Sequence, residues 1–234
     1  PLFEYVLVDE YQDVNDLQIE LIDTLNSTNL FCVGDPRQSI FGWRGSNISY
    51  IKNFKKKYPE SEQISLTKNY RSTKAIVNLM NESIKKMKYE DLEFVKEGKK
   101  DIKLLHFDDE QSEQGFVFQS ILAAKVPKQE IFVLARTNRQ LNEFSKLLTQ
   151  NNVPHIVKSD ENKVVDVKEG QVTLATVHAI KGLEAKQVYV IGCNYLNFPC
   201  RANEHPVIEL IKVEEYDKDE EERRLFYVAL SRAK

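Results

Sequence analysis

The stretch VLVDEYQD, residues 6–13, sets three apolar residues directly before two adjacent carboxylates, Asp9 and Glu10. An apolar strand ending in Asp-Glu is the means by which a magnesium-dependent nucleoside triphosphatase holds its metal and polarises the attacking water. On that reading Asp9 ligates Mg²⁺, directly or through water, and Glu10 accepts the proton of the water. The same pair would also suit a charged capping turn before a helix.

Working outward, YVLVD (5–9) and LFCVG (30–34) are short apolar runs that end in polar turns, as buried parallel strands do. Between them Leu17, Leu21, Ile22 and Leu25 fall at helical spacing, with Asn15 and Gln18 placed as a capping pair. The alternation continues with a helix from Ser46 to Tyr58 stopped by Pro59, a strand QISLT (63–67), and a helix capped by Ser72. It goes on with a strand IKLLHF (102–107), a helix over about 113–124, a strand EIFVLA (130–135) and a helix over about 138–151. Strands VPHIV (153–157), VTLATV (172–177) and QVYVIG (187–192) and a closing helix over about 219–233 complete the chain. The polar stretches 88–101 and 158–170 read as loops. The class is α/β with mainly parallel sheet, and the break after Pro59 divides it into domains 1–62 and 63–234.

The chain of 234 residues, 41% hydrophobic and 29% charged, has the composition of a globular protein. No apolar run approaches the ~20 residues that cross a bilayer, and the N-terminal layout is not that of a signal peptide, so an intracellular, cytoplasmic location is expected. The odd set Cys32, Cys193 and Cys200 contains no C-x-x-C pair and reads as buried thiols, with no zinc site. A net charge of −3 does not advertise a nucleic-acid binder. Arg37, Arg44, Lys52 and Lys55 to Lys57 nevertheless form an acid-free stretch, either a basic patch or a solvated helix face.

VGDPRQSIFGWRGS (33–46) follows the second strand, at the end where ligands of open parallel sheets bind. Gln38 there could reach a γ-phosphate or its water. Phe41, Trp43 and Arg44, flanked by Gly42 and Gly45, suit a mobile loop on which a base would stack; an ordinary buried tryptophan is the alternative. In the closing helix Leu225, Val228 and Ala229 read as core, and Glu220 to Arg224 as a solvated face.

LVDEYQD, VGDPRQSIFGWRG, LTKNYRST (66–73), VLARTNRQ (133–140), ATVHAIKGLE (175–184) and EERRLFYVALSRA (221–233) resemble, in order, the later signature motifs of the UvrD/Rep-like superfamily 1 DNA helicases. The resemblance implies RecA-like parallel sheets of the P-loop nucleoside-triphosphatase type, with a partial first domain and a nearly complete second one. It implies ATP between two such domains and single-stranded DNA across their top, with 3′ to 5′ movement. Asp9 would hold Mg²⁺, Glu10 would be the general base and Gln38 the γ-phosphate sensor. Trp43, helped by Arg44, would stack on DNA. Tyr70 would stack on adenine, Arg71 and Arg232 would be arginine fingers, and Gly182 and Glu184 would line the nucleotide, with Glu184 on the ribose. Thr176 and His178 would touch the DNA strand.

Each of these has a plainer alternative: Tyr70 packing at a helix start, Arg71 paired with an acid, His178 satisfied at a strand end, or Arg232 complementing its own helix terminus. The sequence contains no G-x-x-x-x-G-K-[ST]; the lone Gly98-Lys99 is followed by Lys100. Without that loop's amides and lysine the β- and γ-phosphates lose their main cradle, so this chain by itself is expected not to turn over ATP. The accessory domain that most relatives insert before the TVH block is absent or reduced to a loop. A non-catalytic DNA-binding or assembly protein that retains the fold is the competing expectation.

Overall fold

The computed structural model describes residues 2–25, 27, 29–98, 102–158, 168–200 and 216–234. The described residues fall into two compact units, 2–66 with 216–224, and 67–200 with 225–234.

In the first unit β1 (Tyr5–Val8) and β2 (Asn29–Cys32) pair in parallel, Tyr5 opposite Asn29 and Val8 opposite Cys32. They are joined through α1 (Asp16–Leu25). The expected cap is present and reciprocal: Gln18 N–H donates to Asn15 Oδ1 at 2.9 Å, and Asn15 N–H to Gln18 Oε1 at 3.0 Å. Alternation along the strands sends Val8 and Cys32 toward a core of Tyr11, Val14 and Ile19, where Phe54 meets Tyr11 edge-on at 5.4 Å. Tyr5, Leu7, Phe31 and Val33 are exposed.

The single helix expected over 46–58 is two short ones, α2 (Ser49–Lys52) and α3 (Phe54–Lys57), separated at Asn53. Ser46 does not start it: its hydroxyl lies against the Asp13 carbonyl, to which it donates at 2.7 Å, and Asn47 Oδ1 accepts from Ser49 N–H at 2.9 Å.

In the second unit β5 (Ile131–Ala135), β6 (His155–Lys158), β7 (Val172–Thr176) and β8 (Gln187–Val190) form an all-parallel sheet in the order β6-β7-β5-β8. The central strands β5 and β7 are buried throughout, as a parallel sheet demands. Two helices pack on it, α5 (Glu110–Leu122) and α6 (Asn138–Gln150), the latter opened by a Thr137–Gln140 capping box. A second parallel pair joins β3 (Lys68–Thr73) to β4 (Glu93–Lys96), with α4 (Lys74–Ile84) between them.

Several expectations fail here for identifiable reasons. QISLT (63–67) is not a strand; Ile64 and Leu66 are exposed, and pairing begins at Lys68. Ser72 does not cap α4: it is fully buried, its hydroxyl donates to the Ala233 carbonyl at 2.6 Å, and Thr73 takes the N-cap position. IKLLHF (102–107) stands outside every sheet, with Leu104 94% exposed. The strand paired with β3 is β4, inside the stretch read as loop, and Asn81 of α4 holds the Leu92 that precedes it through both its amide groups at 2.9 and 3.0 Å. Helix α5 begins earlier than expected, at an Asp109 cap whose Oδ1 accepts from Ser112 N–H at 2.7 Å. Most of the expected loop 158–170 lies outside the described residues. Cys193 is exposed and Cys32 and Cys200 are half-buried, so the buried-thiol expectation fails for the first.

The closing helix, α7 (Lys218–Leu230), contributes 218–224 to the first unit and 225–230 to the second. Leu225, Val228 and Ala229 are core as expected. The solvated reading of Glu220 to Arg224 is overturned, since Glu221, Glu222 and Arg224 are buried. Among the described residues no helix is long and apolar enough to cross a membrane.

Candidate functional site

At the carboxyl end of β1 the chain turns at once. Glu10 adopts a left-handed φ of 51°, unusual for a non-glycine residue, and its N–H donates to Asp9 Oδ1 at 2.8 Å. Both carboxylates stay exposed. Gln12, which the sequence reading did not single out, connects them to the second strand. It is 1% exposed; its amide nitrogen donates to Glu10 Oε2, and its Oε1 accepts from Asp35 N–H at 2.9 Å. Asp35 in turn caps the 3₁₀ turn Pro36–Gln38, accepting from Arg37 N–H at 3.0 Å through Oδ1 and from Gln38 Nε2 at 3.0 Å through Oδ2. Asp9, Glu10 and Gln38 therefore belong to one hydrogen-bonded group at the ends of two adjacent strands. Gly34 is required where these strands turn, because a Cβ there would lie 2.7 Å from Gln12 Oε1 and 2.8 Å from Ile51 Cδ1.

The donor set suits Mg²⁺. The ion takes one or two carboxylates and fills its remaining positions with water and phosphate oxygens, and Asp9 Oδ2 projects free of the Glu10 N–H that occupies Oδ1. Among the described residues no cluster of three or more His, Cys, Asp or Glu competes as an all-protein metal cage.

In the second unit Arg71, on β3, donates through Nε to Glu184 and through Nη1 to the Ser231 carbonyl at 3.3 Å. Lys234 Nζ lies 3.2 Å from the other Glu184 oxygen. Burial pushes the Glu184 carboxyl up, but the bonds from Lys234 and Arg71 outweigh it and leave the group below its ordinary range. Gly182, at φ 89°, makes the turn that carries the chain from Ile180 to Glu184. It also presents the Leu183 carbonyl to Arg232 Nη1 at 3.2 Å. Arg232 is 1% exposed, with Nε donating to the Val228 carbonyl at 3.0 Å and Nη2 to Ser231 Oγ at 2.7 Å. Tyr70 is 71% exposed beside Arg71. The structure thus links Glu184 to Arg71, both arginines to Ser231, and Arg232 to the turn made by Gly182, with one guanidinium accessible and the other enclosed.

Thr176 and His178 sit at the carboxyl end of β7 and are both buried. Thr176 Oγ1 accepts from Ala179 N–H at 3.2 Å, which stabilises the turn that follows the strand. Trp43 and Arg44 lie in a 3₁₀ turn, Gly42–Arg44, closed by Gly45 at φ 88°. The Arg44 guanidinium is 4.3 Å from the centroid of the half-buried Trp43 ring and 5.3 Å from that of Phe41. The turn is tied down, contrary to the mobile loop expected: Gly42 is buried and its N–H donates to Glu221 Oε2 at 2.8 Å.

Glu221 is one of the residues that the sequence reading missed. Burial lifts its carboxyl to about 7, against the Gly42 N–H and the Arg224 charge, which lower it; Glu222 adds to the rise and the Tyr216 hydroxyl opposes it. Asp217, Glu220, Arg224 and Lys52 are the other charged residues that line the small cavity beside Gly42 and Glu221. A carboxyl raised on folding stabilises the native state below its unfolded value, and that contribution is lost as pH climbs through the native one. Stability should therefore fall between about pH 4.5 and 7, by up to roughly 3 kcal/mol from this group. Thermal melts of Glu221→Gln across that range should show the slope flattened; an unchanged slope refutes the assignment.

Parallel strands with helices between them, carrying carboxylates and a glutamine in the turns at their carboxyl ends, make this an α/β protein built like a nucleotide-binding one. The sequence pattern of the UvrD/REP helicase N-terminal domain matches residues 2–59, and that of the UvrD-like helicase C-terminal domain matches 64–164 and 156–234. The chain belongs to the UvrD/Rep helicase family. It is 36% identical over 201 residues to a probable DNA helicase II homolog of Mycoplasma capricolum subsp. capricolum, covering 80% of this chain and 27% of that protein. It is 37% identical over 175 residues to the ATP-dependent DNA helicase PcrA of Staphylococcus aureus, covering 71% of this chain and 24% of that protein. PcrA of Leuconostoc citreum is 37% identical over 167 residues, covering 65% of this chain and 22% of that protein. The chain spans about a quarter of the length of the curated relatives it matches.

Proposed function

We propose that this chain is motor machinery of an intracellular ATP-dependent helicase that moves 3′ to 5′ along single-stranded DNA and serves DNA repair or replication. The observation that carries the reading is the hydrogen-bonded run Glu10–Gln12–Asp35–Gln38, which ties the carboxylate turn of one strand to the glutamine turn of its neighbour. A buried glutamine spent on joining two exposed polar turns makes sense where both must face one ligand.

Asp9 would hold Mg²⁺, which when bound neutralises charge on the β- and γ-phosphates. Glu10 takes the proton from the attacking water, and Gln38, its amide held by Asp35, orients that water. Arg71 gives up Glu184 for the γ-phosphate, a guanidinium-for-carboxylate exchange that suits its planar fork. Arg232, enclosed at present by its own helix, would be the second arginine finger, Tyr70 presents an exposed ring to adenine, and Glu184, once released, is available to the ribose. The strand of DNA is gripped by Trp43 and Arg44, with Thr176 and His178 marking its course over the second unit.

Trp43→Ala tests the DNA part. A base stacked on an aromatic ring is worth about 1–3 kcal/mol, so single-stranded DNA affinity should drop roughly 5- to 150-fold at fixed salt. Nucleotide affinity should not change. Fluorescence anisotropy with a labelled oligonucleotide measures the first, and an equal Kd for the two proteins would sink the stacking role.

A further inference from the structure

We infer that Glu221 is a positioning residue for the DNA-stacking tryptophan: from α7 its carboxylate fixes the Gly42–Arg44 turn and so sets the direction of the Trp43 ring. The inference rests on the stacking reading of Trp43 for its link to DNA, and on geometry within the first unit for everything else.

Three contacts argue for a built clamp. Glu221 Oε2 accepts from the Gly42 N–H at 2.8 Å, immediately before Trp43, and both groups are buried. The Tyr216 hydroxyl donates to Glu221 Oε1 at 3.4 Å, steadying the carboxylate from its other side. Arg224, one helical turn further along α7 and 3% exposed, donates from Nε to the Ser39 carbonyl at 2.7 Å, which holds the chain just ahead of the turn. Arg224 is itself aimed by Glu220, whose Oε2 accepts from Nη1 at 3.2 Å.

The closeness of the Glu221 contact also dictates a glycine at position 42. A Cβ at this position would strike Glu221 Oε2 and lie 2.7 Å from two carbons of the Tyr216 ring. The backbone of Gly42 is not left-handed, so close approach by Glu221 and Tyr216, and not backbone freedom, is what disfavours a side chain. The turn beyond it is rigid: Arg44 N–H donates to the Phe41 carbonyl and Gly45 N–H to the Gly42 carbonyl, each at 2.9 Å. Whatever fixes Gly42 therefore fixes Trp43, and with it the Arg44 guanidinium packed on the ring. A helix that pulls on Glu221 would move the stacking face.

Trp43 is the only tryptophan in the chain, so its fluorescence reports the turn directly. Acrylamide quenching of the DNA-free protein, with circular dichroism to confirm folding, should show Trp43 more accessible in Glu221→Ala than in wild type. Glu221→Gln keeps an acceptor oxygen for the Gly42 N–H and should restore wild-type quenching. Single-stranded DNA affinity should fall about tenfold in Glu221→Ala, the scale of one buried N–H left unmet, and recover in Glu221→Gln. Gly42→Ala, which leaves the carboxylate in place but pushes it away, should reproduce the alanine phenotype and covers the case in which Glu221→Ala does not fold. Wild-type quenching in a folded Glu221→Ala or Gly42→Ala protein overturns the inference. If the variants shift quenching but wild-type Trp43 emission is unmoved by saturating oligonucleotide, the clamp stands and the stacking reading fails.

Discussion

Replacing Arg71 with alanine, in a form of the protein that carries a phosphate-binding loop, is expected to lower DNA-stimulated ATP turnover by about 10³-fold or more, the range that arginine fingers supply. The side chain sits at the surface of β3, held by two acceptors that are both replaceable: a half-exposed carboxylate, Glu184, and the Ser231 carbonyl at 3.3 Å. It is poised near the rest of the proposed nucleotide group without being locked there. Arg71→Lys should recover little, since an ammonium cannot present two parallel donors to a phosphate. Steady-state ATPase at saturating ATP and DNA measures the effect, with oligonucleotide affinity as the control that should hold steady. A loss smaller than tenfold would mean that Arg71 belongs to the ion pair with Glu184 and to nothing more.

Phe144→Ala should have the largest effect on stability. The ring is fully buried on α6 within the cluster that includes Val133, Leu141, Leu148 and Leu174. Removing it leaves a cavity between helix and sheet, and such truncations cost about 3–5 kcal/mol, against a total of roughly 5–15 kcal/mol for a domain. Denaturant melts followed by circular dichroism should show the transition of the second unit shifted to much lower denaturant. Leu104→Ala, at a side chain 94% exposed, should lie within about 0.5 kcal/mol of wild type. Comparable shifts in the two variants would show that this cluster is not the unit's core.

Strong periodicity made part of the fold legible. The Leu17–Leu25 stripe with its Asn15–Gln18 cap, and the α6 stripe behind Thr137, are helices within a residue or two of where the sequence put them. The apolar runs that became β5 and β7 are strands for the same reason: burial on both faces leaves few polar residues to confuse the pattern. The misses share a different physics. IKLLHF has the composition of a strand, but a strand needs a partner, and in this unit β3 pairs instead with the more polar Glu93–Lys96, whose entry at Leu92 Asn81 holds by two side-chain bonds. Ser46 and Ser72 look like helix caps and are instead consumed by carbonyls distant in sequence, Asp13 and Ala233.

The candidate site shows the same limit. Asp9, Glu10, Gln38, Trp43 and Arg71 stand in distinctive blocks, so their motifs were readable. Gln12, Glu221 and Arg224 were not, because nothing in a polar residue's local sequence says that it will be buried. Glu220 to Arg224 reads as a charged helix face, yet Glu221, Glu222 and Arg224 are enclosed, Glu221 and Arg224 with the Gly42 N–H and the Ser39 carbonyl as partners. Only the fold brings residues so far apart in the chain together.

The outward side of the β1–β2 pair has a practical consequence. Leu2, Phe3, Tyr5, Leu7 and Phe31 give the first unit a broad oily seam in contact with water. Surfaces of that kind find one another. Handling of this polypeptide will accordingly be governed by colloidal behaviour: stickiness should rise with salts that strengthen apolar association, and mild detergent should relieve it.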